Sequence, residues 1–265
     1  MKGRVLIVAG SDSGGGAGIQ ADIKTVTMHG AFAATAITAL TAQNTQGVFG
    51  VMGVPTDFIK QQIELVLDDI GADAIKTGML HNAEVIEAVV AALGDWPQRV
   101  PLVVDPVMVA KGGAALLEPE ATAAVKKLLL PLAAIVTPNL PEAEALSGHT
   151  ISSADDMRRV AELLGRMGAQ AVLLKGGHLP GPEVQDLLWS AQSGVEFFSG
   201  SRFDTRSTHG TGCTLASGIA TGLAQGLELR EAVMRARDYV REAIRIAPGF
   251  GKGHGPLNHA HTVRS

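Results

Sequence analysis

The segment at residues 208–214 reads Thr-His-Gly-Thr-Gly-Cys-Thr and carries the residue types best suited to chemistry. A helical pattern follows it to residue 225. Glycines at the start of a helix leave backbone N–H groups accessible, and the helix dipole makes that end positive. The segment is therefore predicted to bind an anion. Such a site stabilises the charge on a moving phosphoryl group, so the pattern favours phosphoryl transfer.

Cys213 is the only cysteine of the sequence and lies at the start of this predicted helix. The helix dipole is expected to lower the pKa of its thiol and make it reactive. The alternative is a small packing residue, the usual role of an isolated cysteine. One cysteine excludes an intrachain disulfide and a cysteine-rich zinc site, and it is typical of a reducing compartment.

Polar side chains follow several apolar, strand-like runs. Asp105 ends one such run, and a buried carboxylate there is costly unless it is paired or binds a metal, which favours a functional role. Asn139 and Glu142 have the spacing of a capping box, but their oxygens also suit Mg²⁺, and both interpretations can hold together. Lys175 ends another run and is a candidate phosphate contact. The Lys-Gly-Gly run at residues 111–113 is a candidate mobile flap.

A glycine-rich segment at residues 10–18 follows the first strand-like run. It lacks the Gly-Lys-Ser/Thr of a Walker loop, and Ile19 stands where a dinucleotide fingerprint has its last glycine. The sequence leaves two interpretations of this segment open: a turn, or a loop that contacts a ligand. Asp22, in the next helix, suits the helix dipole. Gln43 begins a pair of amides that suits a flat polar heterocycle or an ordinary turn, and Met79 is expected in the core.

Strand-like and helical patterns alternate along the chain, which predicts an α/β fold with a mostly parallel sheet and helices on both faces. Strands are predicted at residues 5–9, 33–41, 48–54, 72–76, 102–105, 133–136 and 171–174, with a β-hairpin at 186–190 and 194–199. Helices are predicted at 17–29, 55–70, 82–93, 118–130, 138–147, 153–167, 212–225 and 230–246. We expect one domain over residues 1–265, with its ligand at the carboxyl ends of the strands.

The composition limits the classes of protein to which this chain can belong. The 265 residues are 46% hydrophobic and 18% charged, which excludes a mainly disordered chain, and 4% aromatic content requires an aliphatic core. A net charge of −4 without a Lys/Arg block argues against nucleic-acid binding. The first apolar run, residues 5–9, is too short for a signal peptide or membrane span. The sequence thus predicts a cytoplasmic protein without a membrane partner.

Together these motifs resemble the ribokinase-like superfamily and, within it, the hydroxymethylpyrimidine/phosphomethylpyrimidine kinases of thiamin biosynthesis. The resemblance spans nearly the whole chain in order, and the combination is far more specific than any single motif. The similar stretches lie at residues 9–22 (AGSDSGGGAGIQAD), 38–45 (TALTAQNT), 76–80 (KTGML), 105–108 (DPVM), 137–142 (TPNLPE), 175–178 (KGGH), 209–214 (HGTGCT) and 251–259 (GKGHGPLNH).

The resemblance implies a three-layer sandwich with a small β-hairpin near residues 184–199. It also implies ATP and Mg²⁺ as cofactors, and a homodimer. Two phosphorylations are implied, first of 4-amino-5-hydroxymethyl-2-methylpyrimidine and then of its monophosphate. A pyridoxal kinase is the alternative on the same fold. Dual activity is associated in the family with a second cysteine in a lid, which this chain lacks.

The resemblance also assigns roles by matching position. Gln43 would pair with the pyrimidine, and the residues lining the same pocket would be Gly10, Asp22, Met79 and Val107. Mg²⁺ would be organised by Asp105 and Glu142, with Asn139 beside them. ATP would be contacted by Lys175, Asn139, Thr211 and Gly212. The anion hole would consist of Gly210, Gly212 and Cys213.

Cys213 stands where sugar kinases of the superfamily carry an Asp as base. A thiolate would repel the phosphoryl group and a neutral thiol is a poor base, so the base stays open; the hypothesis is that Cys213 assists proton removal.

Two further classes compete with a kinase. A nicotinamide oxidoreductase would leave the segment at 208–214 unexplained. A non-catalytic pyrimidine-binding regulator would leave Asp105 and Lys175 unexplained. The C-terminal histidines, among them His254, His259 and His261, are expected in a solvated tail.

Overall fold

The computed structural model describes residues 1–108 and 119–263. Within them a nine-stranded sheet has the order β3-β2-β1-β4-β5-β6-β7-β8-β9. The strands are β1 (Arg4–Asp12), β2 (Phe32–Asn44), β3 (Gly47–Gly53), β4 (Ala74–Thr77), β5 (Leu102–Val104), β6 (Ile135–Val136), β7 (Ala171–Leu174), β8 (Glu183–Ser190) and β9 (Gly194–Ser201). The pairs from β2 through β7 are parallel, whereas β3, β8 and β9 join antiparallel. The prediction of a mostly parallel sheet with a β-hairpin is confirmed.

The helices are α1 (Gly18–Met28), α2 (Thr56–Asp69), α3 (Ala83–Leu93), α4 (Trp96–Arg99), α5 (Pro119–Ala124), α6 (Leu140–Ser147), α7 (Ala154–Arg166), α8 (Thr211–Ala224) and α9 (Leu229–Arg245). Most lie where helical periodicity predicts them. Among the described residues, none of these helices combines the length and apolarity needed to cross a bilayer.

Strand β1 shows how the sequence builds three layers. Its side chains alternate between faces, so Leu6 and Val8 enter one core cluster while Val5, Ile7 and Ala9 enter the other. The first cluster contains residues of α2, α3, α5, α6 and α7, and the second contains residues of α1, α8 and α9. A strand buried on both faces reads as an unbroken apolar run, which is the pattern seen at the start of the chain.

The prediction of a helix at residues 118–130 is wrong at its end. Helix α5 gives way to a π-helical segment at Val125–Leu129 and a 3₁₀ turn at Leu130–Leu132. Pro131 lies in that turn and lacks the N–H that a continuing α-helix needs. The short helix α4 carries no periodic signal and was not predicted. The candidate flap at residues 111–113 lies outside the described residues.

The prediction of a solvated C-terminal tail is confirmed at His254, which is exposed, but it is wrong at His259. Leu257 and His259 are buried, with 4% and 5% of their surface exposed. The Thr214 hydroxyl lies 2.9 Å from His259 Nε2, and the Tyr239 hydroxyl donates to the His259 carbonyl at 2.5 Å. Burial lowers the pKa of His259 to about 4. These partners come from α8 and α9, so the composition of the tail did not indicate them.

Candidate active site

A cavity of about 800 Å³ lies along the carboxyl ends of the strands, and this volume is large enough for two small ligands. One end is lined by Gly10, Gln43, Val48, Met79 and Val107. The middle is lined by Asp105, Glu142, Gly210, Thr211, Gly212 and Cys213. The other end is lined by His178, Arg202, Phe203, Arg241 and Ile244, and Lys175 lies between this end and the middle. The structure therefore brings most of the predicted site residues into one cleft.

The start of α8 has the geometry of an anion hole. Its first α-helical hydrogen bond runs from the Thr214 amide to the Gly210 carbonyl at 2.9 Å, so the amides of Gly212 and Cys213 have no acceptor within the helix. Gly210 has a φ of 83°, and a Cβ there would lie 1.9 Å from the Gly16 carbonyl oxygen. Only glycine meets both conditions, so Gly210 determines where the helix begins.

A cation and two carboxylates face this hole. Lys175 Nζ lies 3.1 Å from Asp105 Oδ1 and 4.0 Å from Glu142 Oε2. A Cβ on Gly212 would lie 3.1 Å from Lys175 Nζ, so the missing side chain lets the ammonium group approach the helix end. Burial alone would lower the pKa of Lys175, but Asp105 and Glu142 raise it. The lysine therefore carries a full charge beside the bare amides.

Asn139 and Glu142 form a capping box at the start of α6. The Glu142 amide donates to Asn139 Oδ1 at 2.9 Å, and the Asn139 amide donates to Glu142 Oε2 at 2.8 Å. The capping interpretation is thus confirmed, and it holds the Glu142 carboxylate in the cleft. Burial raises the pKa of Glu142 to about 7, Lys175 opposes that rise, and Asp105 adds to it.

The two carboxylates fit a divalent cation. Asp105 is 2% exposed, and its Oδ2 is buried without a hydrogen-bond partner within residues 1–108 and 119–263. A buried carboxylate oxygen without a partner is costly, and a hard cation would satisfy it. Among the residues described, no group of three or more acidic, histidine or cysteine side chains could hold a metal ion by itself. The set therefore suits Mg²⁺ held by one or two carboxylates together with substrate phosphates, as Mg²⁺ usually binds.

The prediction of a lowered pKa for Cys213 is wrong. Burial raises the pKa of the thiol to about 12; the Lys76 ammonium group lowers it, while Asp22 and Asp105 raise it further. The thiol is neutral near pH 7, so its environment does not make it a reactive nucleophile.

Asp22 does not line the cleft. It is fully buried, and Lys76 Nζ donates to its two oxygens at 3.0 and 2.9 Å. The Ser217 hydroxyl donates to Asp22 as well, at 2.7 Å. Lys76 itself lies at the cavity wall, so the carboxylate sits behind the wall and not in it. Sequence reasoning did not single out Lys76, because a lysine inside an apolar strand has no local signal for a partner 54 residues away.

The glycine-rich segment is a turn built around an internal anion. Asp12 accepts hydrogen bonds from the amides of Gly14, Gly16 and Ala17 at 2.7, 3.0 and 2.7 Å. Amides that a phosphate would need are therefore already bonded to this carboxylate. The structure confirms the turn, and Gly10, Ser11 and Gly18 of the same segment also line the cavity.

Several residues at the far end of the cleft were not predicted. Val240, Arg241 and Ile244 reach it from α9, and the Arg241 guanidinium lies 5.2 Å from the Phe203 ring centroid. The amphipathic pattern of α9 indicated only that one face is buried. Which of its residues would line a cavity depends on the position of β9 and the loop after it.

Comparison with known proteins supports this description. The family model described as phosphomethylpyrimidine kinase matches residues 12–258. The thiamine biosynthesis bifunctional protein ThiED of Geobacter sulfurreducens is 54% identical over 97% of this chain, which spans 52% of that longer protein. The hydroxymethylpyrimidine/phosphomethylpyrimidine kinase of Bacillus subtilis is 48% identical over 97% of this chain and 94% of its own length.

A solved structure shares the fold almost completely. An ADP complex of Bacillus subtilis pyridoxal kinase superposes with a TM-score of 0.90 at 36% identity, over 98% of both chains. It confirms the ribokinase-like architecture that the sequence resemblance implies. Because the family model and both relatives span nearly the whole chain, the protein belongs to the phosphomethylpyrimidine kinase family.

Proposed function

We propose that residues 1–265 act as one kinase domain that transfers the terminal phosphoryl group of ATP to 4-amino-5-hydroxymethyl-2-methylpyrimidine and then to its monophosphate. The observation that carries this proposal is the single cleft, in which Gln43 and Met79 lie at one end and Lys175 lies beside Asp105 and the start of α8. The names of the relatives support the substrate, and the ADP complex of the structural neighbour supports the nucleotide.

On the donor side, Lys175 and the amides of Gly212 and Cys213 bind the phosphates of ATP. These groups face the middle of the cleft, and they are fixed before substrate arrives. Preorganised charge of this kind stabilises a phosphoryl group in transfer without reorganisation during the reaction. Asp105 and Glu142 would hold Mg²⁺, which when bound neutralises charge on the phosphates.

On the acceptor side, the Gln43 amide pairs with the pyrimidine edge, while Met79 and Val107 contact the ring. A heterocycle held there has its hydroxymethyl group directed to the middle of the cleft. Cys213 shapes the hole through its backbone amide and its size. A loose transition state needs little early proton removal, so a neutral thiol beside the acceptor is compatible with transfer.

We also propose a homodimer formed through β3. This strand is at the sheet edge, and Phe49 and Met52 are 73% and 62% exposed. An exposed apolar edge strand is a template for pairing with another chain. A cytoplasmic location completes the proposal and agrees with the use of a single cysteine.

A pyridoxal kinase is the second candidate, favoured by the close superposition with the Bacillus subtilis enzyme. Both acceptors are flat heterocycles that carry a hydroxymethyl group, so one cleft can hold either. The higher identity to the pyrimidine kinases, 48% against 36%, favours the pyrimidine.

The test is ADP release measured with the hydroxymethylpyrimidine, its monophosphate and pyridoxal, each with and without Mg²⁺. We expect turnover with both pyrimidines, dependent on Mg²⁺, and at least tenfold lower kcat/KM with pyridoxal. A reaction without acceptor measures background hydrolysis. Turnover with pyridoxal alone would replace the pyrimidine proposal with the second candidate.

A further inference from the structure

Asp12 takes no direct part in the proposed phosphoryl transfer. It is 1% exposed at the end of β1, and its carboxylate accepts hydrogen bonds from three backbone amides of the turn that follows. Burial on its own would raise the pKa of Asp12, but hydrogen bonds from His209, Ala17 and Gly14 outweigh burial and lower it. The carboxylate is therefore ionised, and it organises the whole turn.

The same turn holds the backbone of the substrate-side amide. The Ser13 hydroxyl donates to the Gln43 carbonyl and accepts from the Gln43 amide, both at 2.9 Å. Two residues earlier on each segment, the Thr41 hydroxyl donates to the Ser11 carbonyl at 2.9 Å. A shift of the turn would therefore shift the main chain that carries the Gln43 side chain.

His209 connects this turn to the anion hole. Its Nε2 lies 2.9 Å from Asp12 Oδ2, and since an ionised carboxylate only accepts, Nε2 carries the proton. His209 directly precedes Gly210, and a Cβ on Gly16 would lie 2.5 Å from His209 Cδ2. The His209 amide also donates to the Gly255 carbonyl at 3.1 Å, which fixes the segment from its other side.

These contacts join the two halves of the cleft. We propose that Asp12 and His209 are a positioning pair that holds the pyrimidine-binding residue Gln43 in register with the phosphate-binding amides at the start of α8. The inference rests on the proposed function, because the pair is proposed to set the distance between the acceptor hydroxyl group and the phosphoryl donor. Misplacement by about 1 Å can cost about a hundredfold in rate.

The test compares His209→Ala, His209→Gln and Asp12→Asn, with His254→Ala as the matched control because that histidine is exposed. His209→Ala should lower kcat ten- to a hundredfold and raise KM for the pyrimidine, with KM for ATP changed less than threefold. His209→Gln retains a donor for Asp12 and should recover most of kcat. Asp12→Asn should resemble His209→Ala, and the double variant should lose little more than either alone.

Amide hydrogen exchange supplies a readout that does not need turnover. Gly14, Gly16 and Ala17 should exchange at least tenfold faster in His209→Ala than in wild type, whatever the acceptor. If wild type fails to phosphorylate any pyrimidine, the proposed function fails while exchange still tests the pair. Unchanged exchange, unchanged kcat, or a Gln variant no better than Ala would each overturn the positioning role.

Discussion

At the scale of single residues, Gln43 tests the assignment of the acceptor end. Replacing Gln43 with Ala removes the amide and leaves polar edges of a bound pyrimidine unpaired in a closed site, at a cost of about 1–3 kcal/mol. KM for the pyrimidine should rise roughly ten- to a hundredfold at 1.4 kcal/mol per tenfold, while KM for ATP stays within a factor of about two. Gln46→Ala is the control, because Gln46 is exposed in the turn that follows β2. An equal loss for both ligands would contradict the assignment.

Cys213 allows a direct test of its environment, because the sequence holds no other thiol. A thiol with its pKa raised to about 12 carries almost no thiolate at pH 8. Alkylation by iodoacetamide should be at least a hundredfold slower in the folded protein than in the protein unfolded in urea, followed by mass spectrometry. Rapid alkylation of the folded enzyme would restore the reactive thiol predicted from the sequence.

Turnover of Cys213→Ala addresses its chemical role separately. The backbone amide survives the substitution, and the neutral thiol is a poor base, so kcat should fall less than about tenfold. A loss of a thousandfold or more, recovered in Cys213→Asp, would instead assign proton removal to this side chain.

Glu142 makes a pH-dependent contribution to stability. Its pKa is about 7 in the folded protein, above the ordinary value of 4.5. The folded state thus binds the proton more tightly, so this contribution is complete below pH 4.5 and is lost as the pH rises through 7. Wild type should lose stability relative to Glu142→Gln between pH 5 and pH 8, measured by urea unfolding without ligands. A constant difference between the two proteins would refute the raised pKa.

At the scale of elements, the start of α8 depends on one glycine. Gly210 and Gly226 share a φ of 83°, but a Cβ on Gly210 would clash with the Gly16 carbonyl, whereas nothing lies within 4 Å of Gly226. Gly226→Ala should cost only the backbone strain, about 1 kcal/mol, and preserve kcat. Gly210→Ala should destabilise more and reduce kcat at least a hundredfold. If the two variants changed the urea midpoint and kcat to the same extent, the close contact between residue 210 and the Gly16 carbonyl would be unimportant.

Prediction of the elements succeeded where periodicity and caps agree. Helix α7 begins after Ser153, whose hydroxyl accepts from the Asp156 amide, and α6 begins at its capping box. The end of α5 was missed, because the apolar pattern continues through Pro131 although the hydrogen-bond ladder changes before it. Local sequence thus defines where helices start more firmly than how they end.

At the scale of the whole molecule, the exposed edge strand tests the dimer. Phe49→Asp places a charge in the proposed interface, whereas Leu65→Asp changes another exposed apolar residue, on α2. Sedimentation velocity should show dimers for wild type and Leu65→Asp and monomers for Phe49→Asp at the same concentration. Dimers that survive Phe49→Asp would place the interface elsewhere.

From the sequence alone, the succession of strands and helices along the chain could be predicted, and so could the loops that carry the site. Those features follow from hydrophobic periodicity, helix caps and small residues, and each of these signals depends only on residues that are close together in the sequence. The family resemblance added the substrate and the roles of individual residues.

The environment of each group depends on how the chain folds. Folding put Asp22 behind the cleft wall, and it brought Asp12 and His209 together across 197 residues. It also raised the pKa of Cys213, because burial and the charges of Lys76, Asp22 and Asp105 act through space. Desolvation and Coulomb interactions depend on distances between atoms, and those distances exist only once the chain has folded.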